Sequence, residues 1–316
     1  SLCYEAEGNI DEVVDSAEKF IFEVSDRRVH GTYQHLKEIV KDSIERIDQL
    51  YQKKAHVTGV PTGYIDFDTK TSGLQPSDLI VIAGRPSMGK SALAIGMAEF
   101  AGVVEKIPTA IFSLEMSAAA LAKRMLFQRA RADIQRWRTG FALKEDVEPL
   151  SKAAVAIAQA KIWIDDTGRM AIGALKARAR RLHRQHGIKL FIIDYIQLMR
   201  VEGKRFREDR VQELAEISGE LQALGKELGV PFLILAQMNR DYEKEPNRQP
   251  RLSDLKDCGA IEQDADVVAF LYKPKLKEKD EEEYGNCMAT VYGEQWARDW
   301  SKCPQRVNLL IAKYRH

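Results

Sequence analysis

The stretch Leu79-Ile80-Val81-Ile82-Ala83-Gly84-Arg85-Pro86-Ser87-Met88-Gly89-Lys90-Ser91 decides the fold class. Its first part is an unbroken apolar run, the pattern of a strand buried on both faces of a parallel sheet. Gly84 to Ser91 then fits the phosphate-loop pattern GxxxxGK[ST] at every fixed position. Ala92 to Phe100 continues as a helix. Glycines let the backbone wrap closely around phosphate oxygens, and the loop N–H groups and helix N-terminus supply positive potential. Gly84, Arg85, Pro86, Ser87, Met88, Gly89, Lys90 and Ser91 therefore read as a cradle for a nucleoside triphosphate. Lys90 is expected to reach the β- and γ-phosphates, and the Ser91 hydroxyl to ligate Mg²⁺.

Outward from this loop the chain alternates short apolar runs with longer helical stretches. The runs are Leu79–Ala83, Thr109–Ser113, Lys161–Asp165, Lys189–Asp194, Pro231–Ala236, Asp266–Tyr272 and Val307–Lys313. Such alternation predicts an α/β layer fold with a mostly parallel sheet and right-handed crossovers. Two polar loops interrupt it, Arg200–Arg210 and Asn239–Asp254, and Lys273–Arg306 reads as a surface insertion with an acidic run at Glu278–Glu283. Before the α/β pattern, Ile10, Val13, Val14, Ala17, Phe20, Ile21 and Val24 repeat at three and four residues, the stripe of an amphipathic helix. A second helix is predicted from about Thr32 to Lys54, with Leu36, Val40 and Ile44 in register. The predicted division is a helical arm over 1–55 and an α/β domain over 56–316. On residues alone, the arm is either a hairpin packing on its own domain or an element that docks on a neighbouring subunit.

Three polar residues stand where chemistry would occur. Lys189 to Asp194 is an apolar strand ending in a carboxylate, the Walker B pattern, which places Asp194 on the Mg²⁺. Hydrolysis needs a carboxylate to orient and deprotonate water. Glu115 follows the second strand, and ligands of open parallel sheets lie outside the strands' carboxyl ends. Glu115 is equally readable as helix N-terminal decoration, since Ser117 can cap the next helix. Gln237, at the tip of Pro231–Ala236, is either a γ-phosphate sensor or an ordinary loop residue.

Composition narrows the partners. The net charge is +1, from 48 basic and 47 acidic residues, so nucleic acid would be held by local loops rather than by the whole surface. The basic run Lys176, Arg178, Arg180, Arg181 and Arg184 shares its helix with inward-facing Ile172, Leu175, Ala179 and Leu182, and reads as a solvated face. Four cysteines, Cys3, Cys258, Cys287 and Cys303, lack a CxxC pair. They point to free thiols in a reducing cytoplasm rather than to a zinc site or disulfide scaffold. No apolar run approaches membrane-spanning length.

The ordered set of motifs resembles the DnaB family of bacterial replicative helicases. It comprises Gly84 to Ser91, Phe112-Ser-Leu-Glu-Met-Ser117, Ile193-Asp-Tyr-Ile-Gln-Leu-Met199, Leu235-Ala-Gln-Met-Asn-Arg240, Ser253-Asp-Leu255 and Ile261-Glu-Gln-Asp-Ala-Asp266. Gly59-Val-Pro-Thr-Gly63 fits as well, and the likeness runs from Val13 to Arg315. The resemblance implies a RecA-like ATPase motor preceded by a linker helix that docks on the adjacent subunit of a homo-hexamer, with a further N-terminal domain upstream. It implies ATP with Mg²⁺, 5′ to 3′ movement on single-stranded DNA, unwinding at a replication fork, and primase and helicase loader as partners.

By the same resemblance Glu115 matches the catalytic glutamate, Gln237 the polar switch, and Lys313 and Arg315 the cations supplied to a neighbour's nucleotide. Lys256, Asp257 and Gly259 match the DNA-contacting loop, to which Lys204, Arg205 and Arg207 add a second basic loop that is otherwise readable as solvated. Two departures stand out. Lys273–Arg306 does not fit the family core, and the family pattern runs on past Arg315 into a Gly-Pro-Thr-Gly turn and a strand, whereas this sequence ends at His316. Rival readings are a RecA-class recombinase, which lacks the Ser-Leu-Glu-Met-Ser motif and linker helix, and a nucleotide-gated assembly scaffold, which needs no catalytic base.

Overall fold

The computed structural model describes residues 57–140, 144–201, 210–239, 242, 248–255, 259–273 and 308–315, together with 36, 37, 40 and 44. The chain divides into two compact units, Ser1–Ala55 and His56–His316. In the first unit the described residues are helical, and Leu36, Val40 and Ile44 are all exposed. The stripe predicted over Ile10–Val24, the Lys273–Arg306 insertion after its first residue, and all four cysteines lie outside the described residues.

The second unit is built on one seven-stranded sheet. Its strands are β1 (Leu79–Gly84), β2 (Thr109–Ser113), β3 (Ile162–Asp165), β4 (Leu190–Asp194), β5 (Phe232–Gln237), β6 (Val267–Tyr272) and β7 (Asn308–Tyr314). All seven expected runs are present, with ends displaced by at most one residue. The order is β3-β2-β4-β5-β1-β6-β7. Neighbours pair in parallel except β6 and β7, which are antiparallel, with a register shift between Val268 and Ala269. Strands β1, β2, β4, β5 and β6 are buried, apart from half-buried Gln237, which explains their continuous apolar runs.

Helices α1 (Ile65–Thr71), α2 (Lys90–Glu99), α3 (Ala118–Ala130), α4 (Ile134–Arg138), α5 (Val147–Ala158), α6 (Ile172–His186), α7 (Arg210–Leu228) and α8 (Gly259–Asp264) complete the described elements. Two apolar layers, one on each face of the sheet, form the core. One packs Phe112, Phe191, Phe232 and Phe270 under α6 and α7. The other packs Ile82, Ile111, Ile192 and Leu235 under α2 and α3. The sequence-based expectation of a single helix to Phe100 is refined: α2 ends at Glu99, and Phe100–Val104 widens into a π turn.

The basic face of α6 is also corrected in part. Lys176 pairs with Glu220 and Arg180 with Glu227, bridging α6 to α7, while Arg178 pairs with Asp165 at the end of β3. These three cations brace the fold rather than simply meeting solvent. Among the described residues no helix is long and apolar enough to cross a membrane.

Candidate active site

The strand order brings four carboxyl-terminal tips together. Ser113 pairs with Asp194, and Gly84 pairs with Gln237, so the loops after β2, β4, β5 and β1 open on one end of the sheet. A cavity of about 560 Å³ lies there. Its lining includes Ser87, Gly89, Lys90, Ser91, Glu115, Arg124, Asp194, Tyr195 and Gln237.

The phosphate loop has the backbone its sequence requires. Gly89 takes φ +88° where it caps α2, a conformation that strains any side-chain-bearing residue. Gly84 needs space rather than a left-handed backbone: a Cβ there would lie 2.9 Å from the Leu271 carbonyl oxygen and 3.3 Å from Lys90 Cγ. Lys90 Nζ donates to the Gly84 carbonyl at 2.8 Å and to the Arg85 carbonyl at 3.0 Å. Those carbonyls hold the ammonium at the mouth of the cradle. Burial lowers its pKa, against the opposing pull of Asp194 and Glu115. Arg85 points elsewhere, donating to the Met238 carbonyl at 3.1 Å. Gly84, Arg85 and Met88 therefore shape the loop but do not line the cavity, whereas Pro86, Ser87, Gly89, Lys90 and Ser91 do.

Asp194 is buried, and burial raises its carboxyl above the ordinary range. A hydrogen bond from Ser91 opposes that rise, Glu115 adds to it, and Lys90 and Arg124 offset it. A hydroxyl and a carboxylate meeting beside a phosphate cradle form an oxygen donor set that fits a hard divalent cation such as Mg²⁺. Glu115 stands exposed in the cavity lining. Its turn is pinned on both sides: the Leu114 N–H donates to the Asp194 carbonyl at 2.8 Å, and the Met116 N–H to Ser113 Oγ at 3.2 Å. Ser117 caps α3, accepting from the Ala120 N–H at 3.3 Å. The capping reading of Ser117 and the cavity position of Glu115 thus coexist.

Sequence reasoning passed over two residues. Arg124, on α3, lines the cavity and adds a second cation to Lys90. Its signal was available, since it stands on the first helix after Glu115. Gln197, in the turn Ile196–Leu198, brackets the Gln237 backbone, accepting its N–H at 3.2 Å and donating to its carbonyl at 3.5 Å.

Lys313 and Arg315 do not line this cavity. Lys313 Nζ donates to the backbone carbonyls of Glu262 and Gln263, and Arg315 to that of Gln263. Arg315 also lies 3.5 Å from the Asp266 carboxylate. Partial burial, with Arg315 alongside, lowers the Lys313 pKa. Gly259 is the first residue of α8, with open space where a Cβ would stand. Lys204, Arg205, Arg207, Lys256 and Asp257 lie outside the described residues. A second, larger groove of about 710 Å³ lies among α3, α4 and α5, lined by Leu126, Phe127, Trp137, Leu150 and Ile157. Its apolar walls suit no phosphate.

The sequence and the fold resemble those of known proteins. Residues 59–316 match a family model described as DnaB-like helicase C terminal domain. The Replicative DNA helicase DnaB of Geobacillus stearothermophilus is 41% identical over 279 residues, covering 88% of this chain and 61% of that protein. The Replicative DNA helicase DnaC of Bacillus subtilis (strain 168) is 38% identical over 279 residues, with the same two coverages. The chain thus spans about three fifths of the length of these curated relatives. Among solved structures, one described as an ATPase domain superposes with a TM-score of 0.71 at 27% identity, covering 88% of this chain and 91% of that one. A DnaB-like replicative helicase, solved for its interactions with primase, superposes at 0.69 and 27% identity, covering 94% of this chain and 67% of that one.

Proposed function

Because the chain belongs to the DnaB-like helicase C-terminal domain family, we propose that it is the ATP-hydrolysing motor of a hexameric replicative DNA helicase acting in the cytoplasm. The observation that carries this is the cavity shared by the phosphate loop, Asp194, Glu115 and Gln237. In this reading the motor draws single-stranded DNA through a ring from 5′ to 3′ and unwinds duplex at a replication fork. Residues 1–55 act as a docking arm towards a neighbouring copy, and primase and a helicase loader are its protein partners.

The residues divide the chemistry. Lys90 neutralises β- and γ-phosphate charge, and the α2 N-terminus adds its dipole. Ser91 and Asp194 would hold Mg²⁺, which would supply charge neutralisation to the triphosphate. Glu115 orients water and accepts its proton. Arg124 supports charge developing on the transferred phosphoryl group, and the Gln237 amide reports the presence of the γ-phosphate. Arg315 and Lys313 reach the nucleotide of the adjacent subunit, so hydrolysis requires assembly. The basic loops containing Lys204, Arg205 and Arg207, and Lys256, Asp257 and Gly259, contact DNA phosphates without reading sequence.

The test is the ATP hydrolysis rate with and without single-stranded DNA across protein concentration. The proposal expects a rate that rises with DNA and steepens with concentration. A rate indifferent to both in the full-length protein would remove the motor reading. A scaffold needs no catalytic base, so the cavity position of Glu115 favours the enzyme.

A further inference from the structure

The segment Glu262-Gln263-Asp264-Ala265-Asp266 closes α8 and leads into β6. It is held from two sides. α7 grips Asp264: Ser218 Oγ donates to its carboxylate, and Gln222 Nε2 donates to its carbonyl at 2.7 Å. Asp266 is tied to the root of β1. Its N–H donates to the Leu79 carbonyl at 2.9 Å, and its Oδ2 accepts the Leu79 N–H at 2.9 Å. Its other carboxylate oxygen, Oδ1, faces Arg315 Nη1 at 3.5 Å, and its carbonyl accepts the Arg315 N–H at 3.1 Å. The Gln263 carbonyl accepts from Arg315 Nη2 and, at 3.3 Å, from Lys313 Nζ. One short segment, anchored on α7 and β1, thus holds both the main chain and the guanidinium of Arg315.

The sheet does not require the charge on Asp266. A neutral acceptor would satisfy the Leu79 N–H without the cost of withdrawing a carboxylate from water. What the charge adds is a fixed anion beside a flexible cation. The Asp266 side chain is 15% exposed and Arg315 is 44% exposed, so one edge of the guanidinium is gripped while the rest stays open. An arginine at the exposed end of an edge strand otherwise explores many rotamers, few of which reach a single point on a neighbouring molecule. We propose that Asp266 is a positioning residue for the arginine finger. Its Oδ1 aims the Arg315 guanidinium at the nucleotide of the adjacent subunit, and its Oδ2 references that aim to β1, the strand that carries the phosphate loop. This rests on the reading of Arg315 as a finger.

The experiment uses the full-length protein and Asp266→Asn, which keeps an acceptor for the Leu79 N–H and removes the charge facing Arg315. In assembled rings the kcat for ATP hydrolysis is expected to fall about ten- to a hundredfold, the range for a misplaced catalytic group, with the KM for ATP unchanged. Mixing assigns the loss to the finger. Rings mixed from Asp266→Asn and Lys90→Ala chains should recover some rate, because the finger of the second faces the intact phosphate loop of the first. Rings mixed from Asp266→Asn and Arg315→Ala chains should not, because neither brings a working finger. A lesion that merely loosened β1 would damage the phosphate loop of its own chain and reverse this pattern. Asp266→Ser serves if the asparagine variant does not fold. An undiminished or raised kcat, the reversed mixing pattern, or failure of both variants to fold would overturn the positioning role. Arg315→Ala separates the two readings. If it keeps full activity, the finger reading falls and this proposal with it. If it is inactive while Asp266→Asn matches the parent, this proposal alone falls.

Discussion

The two ends of β1's neighbourhood place their cations in opposite ways. On one side, β1, β5 and β4 lie inside a parallel sheet, and the loops at their tips converge on one cavity. Lys90 is held there by carbonyls of its own loop, already aimed where phosphate would sit. On the other side, β7 is an antiparallel edge strand two places from β1. Lys313 and Arg315 project from it onto the last carbonyls of α8, away from the cavity of their own chain. Carbonyls at a helix C-terminus carry partial negative charge and are a resting place for cations. In the proposed reading, the cis half of the site lies within one chain, and the finger half would act only when another chain presents a nucleotide.

The largest effect should come from the finger half. Arg315→Ala is expected to leave nucleotide affinity nearly unchanged while lowering kcat by about 10³–10⁵, the range for removal of an arginine finger. Nucleotide-binding titration and steady-state hydrolysis on the assembled protein check this together. Mixing the variant with a Lys90→Ala chain sharpens it, because mixed rings then contain intact cis and trans halves on different subunits and should recover some rate. Full activity of Arg315→Ala rings would mean that the edge strand carries no finger.

A smaller effect belongs to the cis half. Glu115→Gln keeps the shape and hydrogen bonds of the side chain but removes the base, and should cost about 10²–10⁴ in kcat. Mixing it with Arg315→Ala should recover some rate, as Lys90→Ala does, because one interface then joins the intact cis half of one chain to the intact finger of the other. Single-turnover hydrolysis with preassembled rings measures the loss in the chemical step. A rate within a few-fold of the parent would return Glu115 to its role as a turn residue beside the Ser117 cap.

The same contrast explains what the sequence disclosed. Parallel strands buried on both faces write themselves as apolar runs, so Leu79–Gly84 and Leu190–Asp194 were legible with their terminal chemistry. The phosphate loop was legible because few residue types tolerate the φ of Gly89 or the crowding at Gly84. Glu115 and Gln237 were legible only as positions beyond strand ends, and the strand order then brought them together. Lys313 and Arg315 carry no local signal: an edge strand with two cations reads like any exposed strand, and family resemblance alone singled them out. Gln197 was missed for a related reason. Its partner lies across the fold, and no periodicity or spacing records a contact between the turn after β4 and the tip of β5.

The smallest predicted effect tests whether the cis half is held at a cost. Asp194 is buried beside Glu115, and its carboxyl is raised in the folded protein. The folded state therefore binds that proton more readily than the unfolded chain does. Stability consequently falls as pH rises from the ordinary carboxylate range through the raised value, and stays lower above it. Asp194→Asn removes the buried charge and its repulsion by Glu115 while keeping an acceptor for the Ser91 hydroxyl. It also withdraws a charge that supports Lys90, which trims the gain. The net expectation is stabilisation of the nucleotide-free protein at pH 8 by about 1 kcal/mol, the usual yield of relieving a functional strain. For a unit of this size that is a rise in Tm of about 2–4 °C. The difference should vanish in acid, where the parent is protonated too, and the extra stabilisation by Mg²⁺-nucleotide should be lost in the variant. Thermal unfolding between pH 4 and 8, with and without nucleotide, reads both arms. A variant less stable than the parent at pH 8 would show that Asp194 is a net stabiliser and that the cis half is preassembled without strain.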